Sequence, residues 1–389
     1  MLARIDLIEP KRPPPVDTSI HAKLGCWRYP LIVLLGLMGL ALGEIGSFAW
    51  SMRRCNFPIN RSDMQLFAAV SDVHLLGASR SSLDVAWTTW QIQKAFYFIM
   101  DWINPDAMFI LGDHLDQGGY ASQNEWNEYV ERYRGATRAI KQRMIVVDSV
   151  MGNHDAQFAH MGLTPNMIER FTRAFGEVNG VLKLGEVEIV WINSLALFDE
   201  TKSKPHLDAM SLLTNLEAED QDSFRILLSH VPPFRQNDLD CGKSRLRETG
   251  HVTYVAPSKT LNAGSDVLHA DISKYLLDAV RPDVMLSGHL HSHCYRHNYY
   301  EVTSDGKRVN VSFLDISVPA FSYRMRPDPG FTIVAVSQGH AHGKTCRLPN
   351  ERVVIAMDVV ALLIILYGLL GWIFACHRMS AASAFKKLE

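Results

Sequence analysis

Short apolar runs that stop abruptly at polar residues recur along the middle of the chain. Five of them, MQLFAAV, AMFIL, MIVVDSVM, FRILL and DVMLS, are followed closely by aspartate, asparagine or histidine. Such runs are typical of strands buried on both faces, which stay apolar throughout. Helical patterns, such as those at Trp87–Trp102 and Trp126–Ile140, lie between them. Strands that alternate with helices predict an α/β domain.

Three further segments have the pattern of strands: VEIVWINS (187–194), LDISVPAF (314–321) and FTIVAVS (331–337). The last two have no helical pattern between them. We therefore expect one part of the domain to be antiparallel, with one sheet packed on another.

Two longer apolar segments stand apart, Leu31–Trp50 and Val353–Cys376. Each is long enough to cross a hydrocarbon core of ~30 Å as a helix. Each holds one acid, Glu44 or Asp358, which we expect near the membrane interface because a charge in the bilayer centre is costly. An uncleaved or a cleaved signal peptide is the alternative for the first segment, and the lack of an evident small-residue cleavage site argues against cleavage. A buried core helix is the alternative for the second.

Two spans place both chain ends on the same side of a membrane. The bias of lysine and arginine favours a cytosolic N-terminus. Lys386 and Lys387 occupy the positions of a dilysine retrieval signal, which the COPI coat reads from the cytosol. The predicted parts are a cytosolic tail (1–30), a first transmembrane helix (31–50), a lumenal domain (51–352), a second transmembrane helix (353–376) and a cytosolic tail (377–389).

The composition narrows the class of partner and the compartment. The 389 residues carry a formal net charge of −2, so no cationic excess indicates a nucleic-acid partner. The predicted lumenal domain holds Cys55, Cys241, Cys294 and Cys346. These permit disulfides in any of three connectivities, and free buried cysteines are the alternative. Asn60 and Asn310 each begin an Asn-x-Ser sequence and are candidate glycosylation acceptors.

The polar residues that follow the apolar runs are all oxygen or nitrogen ligands. In α/β sheets, ligands bind beyond the carboxyl ends of the strands, so we expect these side chains to converge. Any one of them alone would be an ordinary turn residue. Together they form the candidate set Asp72, His74, Asp113, Asn153, His230, His289 and His291.

These blocks, in this order, resemble the calcineurin-like metallophosphoesterase superfamily over roughly residues 66–325. The matching residues are Asp72-x-His74, Gly112-Asp113-x-x-Asp116, Gly152-Asn153-His154-Asp155, His230 and Gly288-His289-x-His291. The resemblance implies an α/β sandwich of two mixed β-sheets flanked by helices. It also implies a dinuclear, metal-dependent phosphoric diester hydrolase.

Within that resemblance, each candidate ligand has a role. Asp72, His74 and His291 would hold one divalent ion, Asn153, His230 and His289 a second, and Asp113 both. A bridging water of lowered pKa would attack phosphorus. The mixed nitrogen and oxygen ligands suit Mn, with Zn or Fe as alternatives.

Four neighbouring residues have expected supporting roles. His154 resembles the general acid that protonates the leaving group, and Asp155 would orient it by accepting its other ring proton. Asp116 would support a ligand or a loop. His114 departs from the family pattern, which is often apolar there, and is either a loop residue or a substrate contact.

Four other side chains are weaker candidates for substrate contact. Arg235 and Arg324 follow strand ends; we expect each to be a solvated surface residue, with a phosphate oxygen or an acid of the fold as the alternative partner. Trp87 and Trp90 would stack on a sugar or lie at a membrane face, but core packing is the expectation we favour for this pair.

A finer resemblance concerns the substrate. The stretches GNHDAQFAHM, WINSLAL, LLSHVPPFRQNDLDC and MLSGHLHSHCYRH, between two predicted spans, are similar to the glycosylphosphatidylinositol (GPI) remodelling phosphodiesterases. This implies removal of an ethanolamine-phosphate branch from a mannose of the GPI glycan, with GPI-anchored proteins as substrates. It also implies a site in the ER, at ER exit sites, in the ER–Golgi intermediate compartment or in the cis-Golgi. The alternatives are another membrane-bound phosphoesterase, acting on phosphoproteins or nucleotides, and a non-catalytic cargo-binding protein.

Overall fold

The computed structural model describes residues 18–55, 64–77, 79–198, 203–218, 223–304 and 307–385. The KRPPPV segment (11–16), Asn60, Lys386 and Lys387 lie outside these residues. The chain divides into two compact units. One is Phe48–Glu351, and the other combines Met1–Ser47 with Arg352–Glu389.

The larger unit contains two mixed β-sheets. The first has the order β11-β10-β1-β2-β3, and the second has the order β4-β5-β6-β7-β9-β8. The strands are β1 (Gln65–Val70), β2 (Ala107–Ile110), β3 (Ile145–Val147), β4 (Gly180–Leu184), β5 (Val187–Trp191), β6 (Phe224–Leu228), β7 (Val284–Ser287), β8 (Cys294–Ser304), β9 (Lys307–Ser317), β10 (Gly330–Ser337) and β11 (His340–Arg347).

Parallel pairing occupies the middle of each sheet. In the first sheet, β1, β2 and β3 are parallel, while β10 runs antiparallel to β1. In the second, β5, β6, β7 and β9 are parallel, and β4 and β8 close the edges antiparallel. The carboxyl ends of the parallel strands therefore lie at the same edge of each sheet. The candidate ligands lie in the loops that follow these strand ends.

The apolar character of these strands follows from burial on both faces. In β1, Phe67 and Ala69 belong to a buried cluster that includes residues of both sheets, such as Ile226 and Leu286. Leu66, Ala68 and Val70 alternate with them and belong to a second cluster that includes helix residues. Such two-sided burial explains why the pattern of these strands is continuous rather than alternating.

The helices are α1 (Thr18–Ala41), α2 (Ser47–Arg54), α3 (Ser82–Phe98), α4 (Gln123–Arg143), α5 (Pro165–Phe175), α6 (Lys204–Ala218), α7 (Gly242–Arg245), α8 (Ala270–Val280) and α9 (Glu351–Phe385). Capping residues determine where several of these helices begin. Ser122 and Glu125 form a reciprocal capping box at α4, and Thr164 caps α5, whose first residue is proline.

The predicted α/β sandwich of two mixed sheets is confirmed, with corrections to individual strands. MIVVDSVM supplies only the three residues of β3, and the segment predicted at 314–321 is the end of β9, which stops at Ser317. That strand lies in the second sheet and β10 in the first, so the two do not pair. β4, β8 and β11 were not predicted, because they are partly exposed edge strands with a weak apolar signal.

Two disulfides resolve the open question of cysteine pairing. Cys55 bonds Cys346, and Cys241 bonds Cys294. The first joins the end of α2 to β11 across 291 positions of sequence. The second joins the start of α7 to the first residue of β8. The pairing selects one of the three connectivities that the sequence left open.

Removing the longer link should destabilise the larger unit. We expect Cys55→Ser combined with Cys346→Ser to lower the free energy of unfolding by about 2–4 kcal/mol, because the link restricts the unfolded chain. Denaturant unfolding of the full chain, followed by tryptophan fluorescence, measures the change. Cys376→Ser, a change at a cysteine in neither disulfide, is the matched control and should leave the midpoint unaltered. Equal midpoints for both variants would contradict the expectation.

The described residues of the smaller unit, 18–47 and 352–385, are helical and largely apolar. Two helical stretches, Arg28–Arg54 and Glu351–Arg378, are long and apolar enough to cross a membrane, with mean hydropathy 2.0 and 2.8. Within the unit, Gly36 and Gly39 lie against Ala361. Small residues at such a contact allow two helices to approach closely in lipid. Length and composition make the chain compatible with a membrane protein.

Candidate metal centre

Five loops bring the candidate ligands together at the carboxyl ends of the strands. Asp72 and His74 follow β1, Asp113 follows β2 and Asn153 follows β3, while His230 follows β6 and both His289 and His291 follow β7. The loops are bonded to one another. The amide of His74 donates to the carbonyl of Asp113 (2.9 Å), and the amide of Gly288 donates to the carbonyl of His230 (2.9 Å).

Most of these ligands sit in an unusual backbone conformation. Five of the seven candidates have positive φ: Asp72 (54°), His74 (43°), Asp113 (51°), His289 (70°) and His291 (56°). Left-handed backbone is uncommon outside glycine, and such residues cluster at functional sites. The close approach of the loops also requires glycine. A Cβ on Gly152 would collide with Asp113, and one on Gly288 would collide with Ser71.

Asp113 lies at the middle of the cluster. Its Oδ2 is 3.4 Å from Nε2 of His74, and its Oδ1 is 3.5 Å from Nε2 of His230. On the side of His74, Nε2 of His291 is 3.4 Å from Oδ1 of Asp72. On the side of His230, its Nε2 is 3.0 Å from Oδ1 of Asn153. One carboxylate therefore faces both halves of the cluster, as a residue shared by two ions must.

The buried atoms of the cluster fit a cation. Ligand atoms of Asp72, His74, Asp113 and His291 all lie within 4.8 Å of one another. Asp113 Oδ2 and His74 Nε2 are buried and have no hydrogen-bond partner. An unpaired buried carboxylate oxygen is costly, and a metal ion bound between these atoms would remove that cost. The fold and this cluster suit a dinuclear metal centre.

In four imidazoles, one ring nitrogen is hydrogen-bonded to a backbone carbonyl. Those of His230, His289, His291 and His154 contact the carbonyls of Leu111 (2.8 Å), Ser265 (2.7 Å), Thr253 (3.0 Å) and Asp116 (2.7 Å) respectively. Each carbonyl accepts a hydrogen bond from the imidazole N–H, so the other ring nitrogen keeps its lone pair. This arrangement fixes the ring orientation and is the usual one behind a metal ligand.

Burial favours the neutral form of two ligand imidazoles. It lowers the pKa of His289 to about 4, helped by His230 nearby, and it lowers the pKa of His74 as well. Burial alone would raise the pKa of Asp113, but the neighbouring imidazoles hold it well below its usual range. At neutral pH, His74 and His289 are therefore neutral and Asp113 is ionised, which are the forms that bind metal ions.

His154 has a different environment from the ligands. Its ring lies edge-on to that of His74, with centroids 4.5 Å apart, and its side chain is partly exposed. Burial opposes protonation, but the charge of Asp113 and the bond to the carbonyl of Asp116 outweigh burial and raise the pKa of His154. With Nδ1 held by that carbonyl, Nε2 is the nitrogen able to hold a proton for a substrate.

The expectation that Asp155 accepts a ring proton from His154 is wrong. The Asp155 carboxylate accepts from Nδ1 of His114 (2.9 Å) and from the amides of Leu115 (3.0 Å) and Gly152 (3.0 Å). Asp155 therefore joins the loop after β3 to the loop after β2. It positions His154 through the backbone, and the carbonyl of Asp116 orients the ring.

His114 is a buried partner of Asp155, so its departure from the family pattern has a structural reason. The ring packs on Phe175 and Tyr133, with centroid distances of 4.5 and 5.2 Å. It is fully buried and lies away from solvent. Of the two roles proposed from the sequence, substrate contact is therefore excluded, and the residue instead connects two ligand-bearing loops.

Replacing His114 should loosen these loops. We expect His114→Leu to lower kcat about tenfold, a typical effect of removing a group that supports a ligand loop. The physical reason is the lost bond to Asp155, which leaves that buried carboxylate short of one donor. Steady-state kinetics and metal content measure the effect. His340→Leu, at an exposed histidine of β11, is the control, and equal rates for the two variants would contradict the expectation.

Asp116 connects the cluster to two arginines. Its Oδ1 is 3.6 Å from Nδ1 of His74, which agrees with the supporting role expected for it. Arg80 Nη2 lies 3.6 Å from Oδ2, and Arg324 Nε lies 3.9 Å from Oδ1. Both arginine side chains are partly exposed. Arg235, by contrast, is buried and pairs with an acid of the fold, Asp238 (2.8 Å).

Sequence reasoning missed several contributors to the site. The carbonyls of Thr253 and Ser265 hold two ligand histidines, but any residue has a carbonyl, so no sequence signal marks them. Arg326, buried, donates to the carbonyl of His291 (2.7 Å) and pairs with Glu248 (2.8 Å). Arg80 follows a short loop with no motif. These residues reach the site because of how the chain folds, and no local sequence pattern marks them.

Comparison with known proteins agrees with the geometry. The calcineurin-like phosphoesterase family matches residues 66–293, more than half of the chain. Metallophosphoesterase 1 of Danio rerio is 31% identical over 338 residues, covering 80% of this chain and 83% of the relative. The Mus musculus protein of that name is 30% identical over 74% of this chain and 73% of its own length.

A more distant relative extends the match. The Metallophosphoesterase 1 homolog of Caenorhabditis elegans is 25% identical over 87% of this chain and 88% of its own length. The family match, the similarity to the first of these relatives and the clustered aspartate and histidine side chains agree. The chain belongs to the calcineurin-like phosphoesterase family and is a metal-dependent phosphoester hydrolase.

Proposed function

We propose that the chain is a membrane-bound phosphodiesterase that removes an ethanolamine-phosphate branch from a mannose of the GPI glycan. The observation that carries this proposal is the placement of a phosphoesterase domain between two apolar helices, each long enough to cross a membrane. A GPI glycan is itself fixed to a leaflet. Holding enzyme and substrate in one membrane raises their effective concentration.

The geometry supports a division of the ligands into two groups. Asp72, His74 and His291 would hold one ion and Asn153, His230 and His289 the other, with Asp113 between them. Manganese is the ion we propose, with zinc or iron as alternatives; the nitrogen and oxygen ligands suit all three. When bound, such ions supply positive charge for the phosphoryl oxygens and make a water more acidic.

The chain's own residues supply the rest of the chemistry. Hydrolysis adds water to phosphorus and breaks the bond from phosphorus to the mannose oxygen, so that oxygen needs a proton. His154 is the group placed to give it, since Nδ1 is bonded to the carbonyl of Asp116 and Nε2 is available. The products are ethanolamine phosphate and a free mannose hydroxyl.

The proposed compartment is the early secretory pathway, from the ER and its exit sites to the cis-Golgi, with the domain lumenal and both termini cytosolic. Trimming there would promote the exit of GPI-anchored proteins, and the dilysine tail would return the enzyme through COPI. Two disulfides support an oxidising compartment. Asn310 is exposed on β9, as a glycosylation acceptor must be.

The test is a direct comparison of substrates with the purified full chain. A mannoside that carries ethanolamine phosphate should release ethanolamine phosphate, detected by mass spectrometry, and Asp113→Asn should abolish the release. Phosphopeptides and nucleotides, offered at equal concentration, should be poor substrates. Turnover of only those two classes would overturn the proposed substrate and favour a different phosphoesterase.

A further inference from the structure

A cavity of about 550 Å³ is lined by Arg80 and by residues of α3 and α4. Its lining includes Arg80, Ser82, Thr89, Trp90, Gln93 and Arg132. Arg80 connects it to the centre, because its guanidinium is 3.6 Å from Asp116 and Asp116 is 3.6 Å from His74. Arg80 therefore borders both the cavity and Asp116, the acid that contacts the ligand His74.

The charge of the cavity is positive and incompletely compensated. Among the described residues that line it, two are arginines and none is acidic. Arg132 packs on the ring of Tyr129, with 5.3 Å between the guanidinium carbon and the ring centroid. Its Nε and Nη2 are shielded from water and have no hydrogen-bond partner. Buried guanidinium N–H groups without an acceptor are unfavourable, and an anion bound nearby would offset part of that cost.

The remaining lining suits a sugar phosphate. Thr89 Oγ1 is also buried without a hydrogen-bond partner, and Ser82 and Gln93 add further polar groups. Trp90 is 49% exposed, which corrects the expectation that it packs in the core; Trp87 packs on Tyr323 instead (5.6 Å between centroids). The Lys94 ammonium lies over this indole ring, 5.7 Å from its centroid, and the exposed part of the ring offers an apolar surface to a sugar.

We propose that this cavity is an anion subsite that binds a second phosphate of the substrate, with an attached sugar packed on Trp90. Arg132 and Arg80 bind the phosphate oxygens, and the phosphate at the metal centre is the one hydrolysed. The inference rests on the proposed function for the identity of the sugar, whereas the anion subsite itself does not depend on it. It predicts that the preferred substrate is a glycan with two phosphate groups.

The first test measures binding without catalysis. Full chain, stripped of metal ions with a chelator, is titrated with radiolabelled mannose 6-phosphate in equilibrium dialysis. Without metal ions, Asp72, Asp113 and Asp116 make the centre anionic, so the sugar phosphate is repelled there. We expect one saturable site per chain, with mannose itself binding at least about tenfold more weakly because it lacks the charge-assisted bonds.

The variants assign that site. Arg132→Gln should weaken binding about tenfold, and Arg132→Lys, which keeps the charge, should restore part of the loss. Arg138→Gln, at an exposed arginine on another face of α4, is the matched control and should bind like the unaltered chain. Absence of saturable binding, equal binding of mannose, or equal affinity of the Arg132→Gln and Arg138→Gln variants would overturn the subsite.

The second test separates the subsite from the proposed function. Synthetic mannosides carry ethanolamine phosphate on one mannose or on two neighbouring ones. Arg132→Gln should raise the KM for the doubly substituted compound about tenfold more than the KM for the singly substituted one. An equal change in both would contradict the second-phosphate assignment. Hydrolysis of neither compound by the unaltered chain would overturn the proposed function, and the dialysis result would still decide the subsite.

Discussion

Asp113→Ala should abolish phosphodiester hydrolysis. The residue is buried between the two groups of ligands, 3.4 Å from His74 and 3.5 Å from His230. Its removal takes away the one carboxylate that faces both groups. Charge stabilisation by a bound metal pair is worth several kcal/mol, so we expect a loss of more than ~10³-fold in kcat.

Metal analysis distinguishes this cause from misfolding. The unaltered chain should bind two divalent ions, and the Asp113→Ala chain should bind at most about one, because repulsion between paired ions is no longer offset. Asp208→Ala, at a half-exposed aspartate of α6 paired with Lys204, is the control and should keep full rate and metal content. An Asp113→Ala chain that binds two ions and hydrolyses substrate normally would contradict the assignment.

His154→Ala should slow turnover by ~10²–10⁴-fold, the usual contribution of a general acid. Unlike Asp113, His154 bonds the cluster through its backbone amide, which donates to Asp113 Oδ1 (2.8 Å), and that bond survives the substitution. The metal content should therefore stay at two ions per chain. Steady-state kinetics with a mannose-linked diester measures the loss.

The leaving group provides a sharper test of the same role. A mannose alkoxide needs a proton as it departs, whereas p-nitrophenolate leaves readily without one. The loss caused by His154→Ala should therefore be much smaller with bis(p-nitrophenyl) phosphate than with the mannose diester. Equal losses with both substrates would assign His154 to the electrostatics of the cluster instead of to proton transfer.

The strand pattern and the ligand set could be predicted for one physical reason. Buried strands of α/β sheets are apolar on both faces and end at a common edge, so polar residues directly after them are informative. Asp72, Asp113 and His230 all follow that rule. A hairpin signal was overlooked: the dipeptide Asp-Gly is typical of tight turns in β-hairpins, the sequence has it at 305–306, and β8 pairs antiparallel with β9.

Other parts of the site had no local signal. The bond between His114 and Asp155 joins residues 41 positions apart, and its existence depends on how two loops pack. The exposure of Trp90 and the lack of a hydrogen-bond partner at Nε and Nη2 of Arg132 depend on the contact between α3 and α4. A single sequence shows which residues are present, but the tertiary packing of the helices and loops determines which of them are in contact.

The bond between Cys55 and Cys346 has a consequence for handling the protein. It joins a residue just after the first apolar helix to one just before the second, so nearly the whole domain lies inside a covalent ring. A protease that cuts once within that ring leaves both fragments attached. On a denaturing gel, nicked material should run as one band until a reductant is added, and only then separate into two.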